Sequence, residues 1–337
     1  MLAMNPYVIV GGGLSGLLVA RVLHEKGLPF IGFERSSRLG GRVESGPTRI
    51  LKNQTLEFFQ VVLPHVTWNY EEGDAQERIK GEWEPLRDGY LEGERFYFTN
   101  SFYTPTTHTS EVLKNLSFPV AEKFQLQKTV IRIDGKNKIL ELSDGTEQSF
   151  SKLFWCSDLN LLFKLWEGDR LGTPKTQKKI SEKQSGFNWI LDLDAPLLNS
   201  HQTIVLPFRF KEWKLRALGV QDLDEQNAKN RLHWLVFLPK EIMEDQEEVA
   251  KTVKTLKREI VKEFPELTAK IKKEKIVYLP VMSGEEPARF SSLEIAPDLI
   301  CVGPQICVEE EQSDWKNLDL VAAHVKHLKA LNLEMSS

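Results

Sequence analysis

The segment that most constrains this chain runs from Val8 to Glu34. Val8-Ile9-Val10 leads into Gly11-Gly12-Gly13-Leu14-Ser15-Gly16, and an apolar stripe continues through Leu17, Leu18, Val22 and Leu23. A second apolar run, Phe30-Ile31-Gly32-Phe33, ends at Glu34. A strand, a glycine turn, a helix and a second strand closed by an acid make the sequence form of a dinucleotide-binding βαβ unit. Each glycine has a task in such a turn. Gly11 permits the tight bend, Gly13 lets the backbone approach a pyrophosphate, and Gly16 lets helix and strand pack closely. A helix beginning near Leu14 points its free N–H groups and positive dipole end at the anion, which makes Leu14 and Ser15 contact residues as well.

Glu34 stands twenty-three residues after Gly11. That is near the usual spacing of the acid that accepts hydrogen bonds from the adenosine ribose hydroxyls. Its carboxylate would repel a 2′-phosphate, so NADP is disfavoured, and NAD and FAD remain.

The next residues separate those two. Glu34-Arg35-Ser36-Ser37-Arg38-Leu39-Gly40-Gly41-Arg42-Val43 resembles the extended fingerprint of the flavin amine oxidase superfamily. That group includes monoamine and polyamine oxidases, protoporphyrinogen oxidases, phytoene desaturases and the shorter renalase-like proteins. The resemblance implies FAD. It implies an α/β fold of the two-domain, glutathione-reductase-like kind. An FAD/NAD(P)-binding Rossmann-like domain would carry a second, mostly antiparallel substrate domain. In that family a basic residue follows the acid, here Arg35. Arg42 would sit on the pyrophosphate, where a guanidinium fork suits phosphate oxygens. Gly40 and Gly41 would let the chain pass close to the cofactor.

Bulk properties fit an enzyme of this size and exclude several other classes. The 337 residues are 41% hydrophobic, 27% charged and 9% aromatic, as in a folded domain pair rather than a disordered or fibrous chain. A formal net charge of −4 supplies no basic field for nucleic acid. Cys156, Cys301 and Cys307 are few and odd in number, and read as buried thiols of a reducing compartment. No metal pattern joins them to the seven histidines. His324 and His327, spaced i, i+3, read as a surface or helix-end pair. The first strand begins close to Met1, leaving no room for a leader. The stretch from Tyr7 to Leu23 contains the glycine turn and Arg21, so it is no membrane span. The expectation is a cytoplasmic protein acting on a small molecule, without nucleic acid or membrane partners.

Further along, Leu56 to Leu63 is an apolar run ending at Pro64. Residues 66 to 110 suit short strands and turns, with a short helix capped by Ser110 and running to Leu116. Val130–Ile133 and Lys138–Leu142 flank the Asp134-Gly135 turn, and Asp144-Gly145 leads into Lys152–Cys156. This resembles the family's small β-meander, in which the residue equivalent to Val130 touches the adenine through its backbone. Strand patterns at Phe187–Leu193, Thr203–Leu206, Leu215–Val220 and Leu232–Leu238 predict an antiparallel sheet. Glu247–Phe264 is an amphipathic helix with Val249, Val253, Leu256, Ile260, Val261 and Phe264 on its apolar face. Leu299–Gly303 is a short buried strand and Asp314–Leu331 a helix. In the family this unit closes the flavin site, which makes Gly303 a cofactor contact. The expected cofactor domain comprises 1–65, 120–165 and 285–333; the substrate domain comprises 66–119 and 166–284.

Three features depart from the family. Glu57-Phe58-Phe59-Gln60 places two phenylalanines where glycines beneath the flavin ring are expected. Gly303-Pro304-Gln305 lacks the acid that holds the ribityl chain. The closing helix opens on Ser313-Asp314-Trp315-Lys316-Asn317, bulky where backbone should meet flavin. No catalytic group is marked. The reading is an FAD-dependent oxidoreductase that takes hydride from an amine or related donor. The alternatives are a non-catalytic nucleotide-binding descendant and a flavin-dependent mutase.

Overall fold

The computed structural model describes residues 5–41, 50, 53–72, 76–79, 81–85, 101–107, 109–168, 171, 184–197, 203–224, 229–283, 288–308 and 318–330. Strand β1 (Tyr7–Val10) is buried along its whole length, as expected of a central parallel strand made of β-branched residues. Helix α1 (Leu14–Glu25) follows, then strand β2 (Phe30–Glu34). The end of α1 is set by Gly27, at φ +67°. Gly27 N–H donates to the His24 carbonyl at 3.0 Å and Leu28 N–H to that of Leu23 at 2.9 Å, a Schellman closure.

Six strands form the first sheet, in the order Glu294–Ala296, Leu299–Cys301, Lys152–Trp155, β1, β2, Phe124–Leu126. All neighbours are parallel except the edge strand Glu294–Ala296. The chain leaves β1 toward β2 on one side, while Lys152–Trp155 pairs on the other. The crevice beyond the carboxyl ends of β1 and Lys152–Trp155 is therefore a topological switch point, where ligands of open α/β sheets bind.

Between β2 and the return strand lie helix α2 (Asn53–Val62), helix α3 (Thr109–Ser117) and a meander. The meander's strands are Val130–Asp134, Ile139–Leu142 and Glu147–Ser149. The last of these is not marked in the sequence by an apolar run, because Glu147-Gln148-Ser149 is polar; Lys152–Trp155 belongs to the main sheet instead. Ser110 sits inside α3 rather than capping it. Leu113 and Leu116 of α3 are buried in the same core as α1, so this helix packs on the cofactor side although 66–119 was expected with the substrate side.

The second sheet has seven strands in the order Ile271–Ser283, Gln184–Leu193, Lys229–Leu238, Trp213–Asp224, Thr203–Phe210, Gln76–Ile79, Glu82–Pro85. It is antiparallel but for the Thr203–Phe210 pairing with Gln76–Ile79. Trp189 and Trp234 are buried in its core with Val249, Val253, Leu256 and Ile260 of helix Gln246–Glu263. Each such apolar side chain contributes on the order of 1.5–3 kcal/mol by leaving water. Asp245 starts that helix by accepting hydrogen bonds from Glu247 N–H at 2.9 Å and Glu248 N–H at 3.2 Å. This core is separate from the one around β1 and α1. No helix among the described residues is long and apolar enough to cross a membrane.

Candidate dinucleotide-binding site

The glycine turn carries out the steric tasks expected of it. Gly11 has φ +106°, and a Cβ there would lie 2.8 Å from the Cys156 carbonyl oxygen. The turn therefore seats directly on the end of the neighbouring strand. A Cβ at Gly16 would lie 1.8 Å from the Gly11 carbonyl oxygen, so helix and turn touch backbone to backbone. Gly13 differs: a Cβ there would meet nothing nearer than the Gly41 α-carbon at 4.0 Å. Among the described residues, nothing else lies within 4 Å of that position.

Gly13 is the N-cap of α1 and has no side chain to cap the helix, and the first turn holds no acid. The first bond into the helix is Leu17 N–H to the Gly13 carbonyl at 2.9 Å. The amides of Leu14, Ser15 and Gly16 therefore have no partner within the helix. They form a donor cluster at the positive end of the helix dipole, the chemistry that binds a diphosphate.

Glu34 closes the other side. Its Oε2 accepts from Gly12 N–H at 2.6 Å and its Oε1 from Ser36 N–H at 2.8 Å. Ser36 Oγ lies 2.8 Å from Oε1 and 2.7 Å from the Arg38 carbonyl. An ionised carboxylate offers about four lone-pair positions, so capacity remains for the vicinal hydroxyls of a ribose. Arg35 is exposed beside it.

Gly40 and Gly41 return to the glycine turn. Gly40 N–H donates to the Gly12 carbonyl at 2.8 Å, and Gly13 and Gly40 form a parallel bridge. Gly41, at φ +60°, approaches so closely that a Cβ would lie 3.0 Å from the Gly13 α-carbon. These glycines were expected to make room for the cofactor; the room they make is for the first glycine turn. Arg42 lies outside the described residues.

Val130 is brought near Glu34 by the preceding loop, where Lys128 N–H donates to the Glu34 carbonyl at 2.9 Å and Gln127 N–H to that of Ser36 at 3.0 Å. Gln127 has φ +57°, a bend no sequence pattern announces. Gly303 comes from the opposite side. A Cβ on it would lie 3.8 Å from Ser15 Oγ, so the structure gathers Gly11, Gly13, Ser15, Gly16, Glu34, Gly41 and Gly303 at one crevice. The Gly303 N–H itself points inward, donating to His324 Nδ1 at 3.3 Å.

Two sequence expectations need correction here. Phe58 and Phe59 lie on helix α2 and are buried, 5.4 Å apart edge to face, with Phe59 against Trp68 at 6.0 Å. Their helical spacing makes them core residues rather than replacements for glycines in an extended segment. His324 is fully buried, not on the surface; His327 is exposed. Gln305, which stands after Pro304 where an acid was expected, accepts from Leu159 N–H at 2.7 Å and so caps a short helix with Asp158. The closing helix is described over Leu318–Ala330; Trp315 and its neighbours from 313 to 317 lie outside the described residues. Burial pushes the thiols of Cys156 and Cys301 well above the ordinary range, so neither is a ready nucleophile. Among the described residues no three His, Cys, Asp or Glu side chains are grouped to hold a metal ion.

The fold and the site define a protein with a Rossmann-type dinucleotide-binding sheet and a separate antiparallel sheet. Residues 9–67 match the model of the NAD(P)-binding Rossmann-like domain. No curated protein matches the sequence. Solved structures match it along nearly its whole length. An oxidoreductase from Methanosarcina mazei is 11% identical with a TM-score of 0.66, covering 96% of this chain and 99% of its own. Reduced UDP-galactopyranose mutase is 13% identical with a TM-score of 0.64, covering 99% and 96%. Wild-type putrescine oxidase bound to putrescine is 10% identical with a TM-score of 0.61, covering 97% and 98%. The resemblance to the amine oxidase superfamily therefore holds at the level of fold.

Proposed function

We propose that this chain is an FAD-dependent oxidoreductase that oxidises a small organic substrate, an amine or a related C–H donor, by hydride transfer to the flavin. The observation that carries the reading is the start of α1 at Gly13, which carries no capping side chain, with the Glu34 carboxylate anchored on Gly12 of the same turn. These residues fit the adenosine diphosphate half of FAD. Leu14, Ser15 and Gly16 would donate to the diphosphate, Glu34 would accept from the ribose, and Arg42 would add charge. Val130 would meet the adenine through its backbone. The flavin, when bound, supplies an acceptor for two electrons and a hydride. The protein's share is to orient the donor C–H bond and exclude water, tasks suited to an apolar sheet wall.

We assign the cofactor domain to 1–65, 120–165 and 285–333 and the substrate domain to 66–119 and 166–284, with α3 packing on the cofactor side. The three free thiols support a cytoplasmic location.

The test is the absorption spectrum and calorimetric FAD binding of the purified protein. A bound oxidised flavin that is bleached anaerobically by an amine from a panel of mono-, di- and polyamines supports the proposal. Absence of both flavin absorbance and FAD binding ends it. A mutase is the second reading, favoured by the match to UDP-galactopyranose mutase over 99% of this chain. It predicts that a nucleotide sugar, and no amine, perturbs the flavin spectrum.

A further inference from the structure

His324 is a fully buried imidazole on the C-terminal helix, among Leu320, Val321, Val325 and Leu328. One hydrogen bond ties it to another element. Nδ1 accepts from the Gly303 N–H at 3.3 Å, which places the ring proton on Nε2. Gly303 begins the turn that leaves strand Leu299–Cys301 and passes beside Ser15 at the start of α1. The other ties of that turn come from the sheet side. Val302 N–H donates to the Trp155 carbonyl at 2.9 Å, and Gln305 holds Leu159 N–H at 2.7 Å. His324 adds the tie to the C-terminal helix, which packs on α1 and α2.

The sheet order fixes which part of a ligand this turn can meet. Glu34 ends β2, on one side of β1; Gly303 follows Leu299–Cys301, two strands away on the other side. A dinucleotide with its ribose at Glu34 and its diphosphate at Leu14–Gly16 must carry its second half toward Gly303. We propose that His324 is a positioning residue for that second half. It draws the Gly303 amide into the protein and so holds the glycine's bare α-carbon beside Ser15, leaving the path beyond the diphosphate clear. This rests on the dinucleotide reading above.

The experiment compares FAD and ADP binding by calorimetry in wild type, His324→Leu and His324→Asn, with hydrogen exchange at residues 299–306 in the ligand-free protein. Asn places an acceptor oxygen near the Nδ1 position; Leu offers none. Loss of one such anchor predicts FAD affinity about tenfold weaker in His324→Leu, with ADP within about twofold. His324→Asn should recover most of the FAD affinity. Exchange at Gly303 should accelerate in the Leu variant and not in the Asn variant. If His324→Leu does not fold, His324→Gln takes its place, because its amide reaches toward the Nε2 position and leaves Gly303 unmet. Unchanged FAD affinity in the loss variant, or ADP weakening in step with FAD, overturns the proposal. A wild type that binds neither nucleotide overturns the dinucleotide reading itself, and is recognised because the unmutated protein is then silent.

Discussion

Gly12 and Glu34 are joined by a hydrogen bond of 2.6 Å from the glycine's amide to the carboxylate Oε2. It ties the acid at the end of β2 to the turn at the end of β1, twenty-two positions away. The glycine turn and the acid, the two halves of the proposed site, are thus one hydrogen-bonded unit.

Replacing Glu34 therefore acts on both. Glu34→Ala leaves the part-buried Gly12 N–H without its acceptor, at a cost of about 1–3 kcal/mol. The melting temperature should fall, and affinity for ADP should drop by at least about tenfold, since charge-assisted hydrogen bonds to the ribose are lost as well. Retention of wild-type ADP affinity in calorimetry would remove Glu34 from the site.

Gly13 and Gly16 should separate binding from folding. Gly16→Ala forces a Cβ to 1.8 Å from the Gly11 carbonyl oxygen. Overpacking of this kind costs about 1–3 kcal/mol or more, so the variant should melt early or accumulate insoluble. Gly13→Ala meets nothing closer than 4.0 Å. It should keep its melting temperature within a few degrees, because an alanine N-cap costs about 1 kcal/mol or less relative to glycine. On the dinucleotide reading the diphosphate lies against Gly13, so the new methyl group should abolish ADP binding. Equal effects of the two substitutions on melting would contradict this division.

In the second sheet, Glu274 accepts hydrogen bonds from Lys257 Nζ at 2.7 Å and Trp189 Nε1 at 2.9 Å. The lysine bond first, then the indole, hold its carboxyl below the ordinary value of 4.5. A depressed folded value means the stabilisation is present above pH 4.5 and is lost as pH falls below it through the folded value. Glu274→Gln should melt earlier than wild type at neutral pH, and the gap should close on acidification. Melting curves that stay parallel from neutral to acid pH would refute the assignment.

The buried thiols make a chemical prediction. Cys301 and Cys307 are buried, and desolvation pushes the Cys301 thiol far upward, so Cys301 forms no thiolate at mildly alkaline pH and Cys307 is shielded from reagents. Iodoacetamide should label them only after denaturation, as mass spectrometry of tryptic peptides can establish. Rapid native labelling of Cys301 would show that the Leu299–Cys301 strand opens readily.

The βαβ unit is legible in the sequence because its signals are local. Gly11 and Gly16 are steric requirements, and Val8-Ile9-Val10 and Leu17-Leu18 are burial patterns that few other arrangements satisfy. The same holds for the helix at Gln246–Glu263, whose apolar face repeats at helical spacing. Phe58 and Phe59 belong to an apolar run of eight residues, which suits a helix or a buried strand equally until its neighbours are known. Glu147–Ser149 escaped notice because a polar strand at a sheet edge is held by backbone pairing, which leaves no mark on side chains.

His324 illustrates the remaining division. Side-chain chemistry and spacing along the chain sufficed to place a strand, glycine turn and helix start in the first sixteen residues and an acid at the end of the next strand, Glu34. Folding alone brought Gly303 beside Ser15, turned its amide onto an imidazole from the last helix, and set Gly40 and Gly41 against Gly12 and Gly13. Those pairings span long stretches of chain, and a hydrogen bond between distant residues depends on where the packed helices come to rest, a property that no short segment encodes.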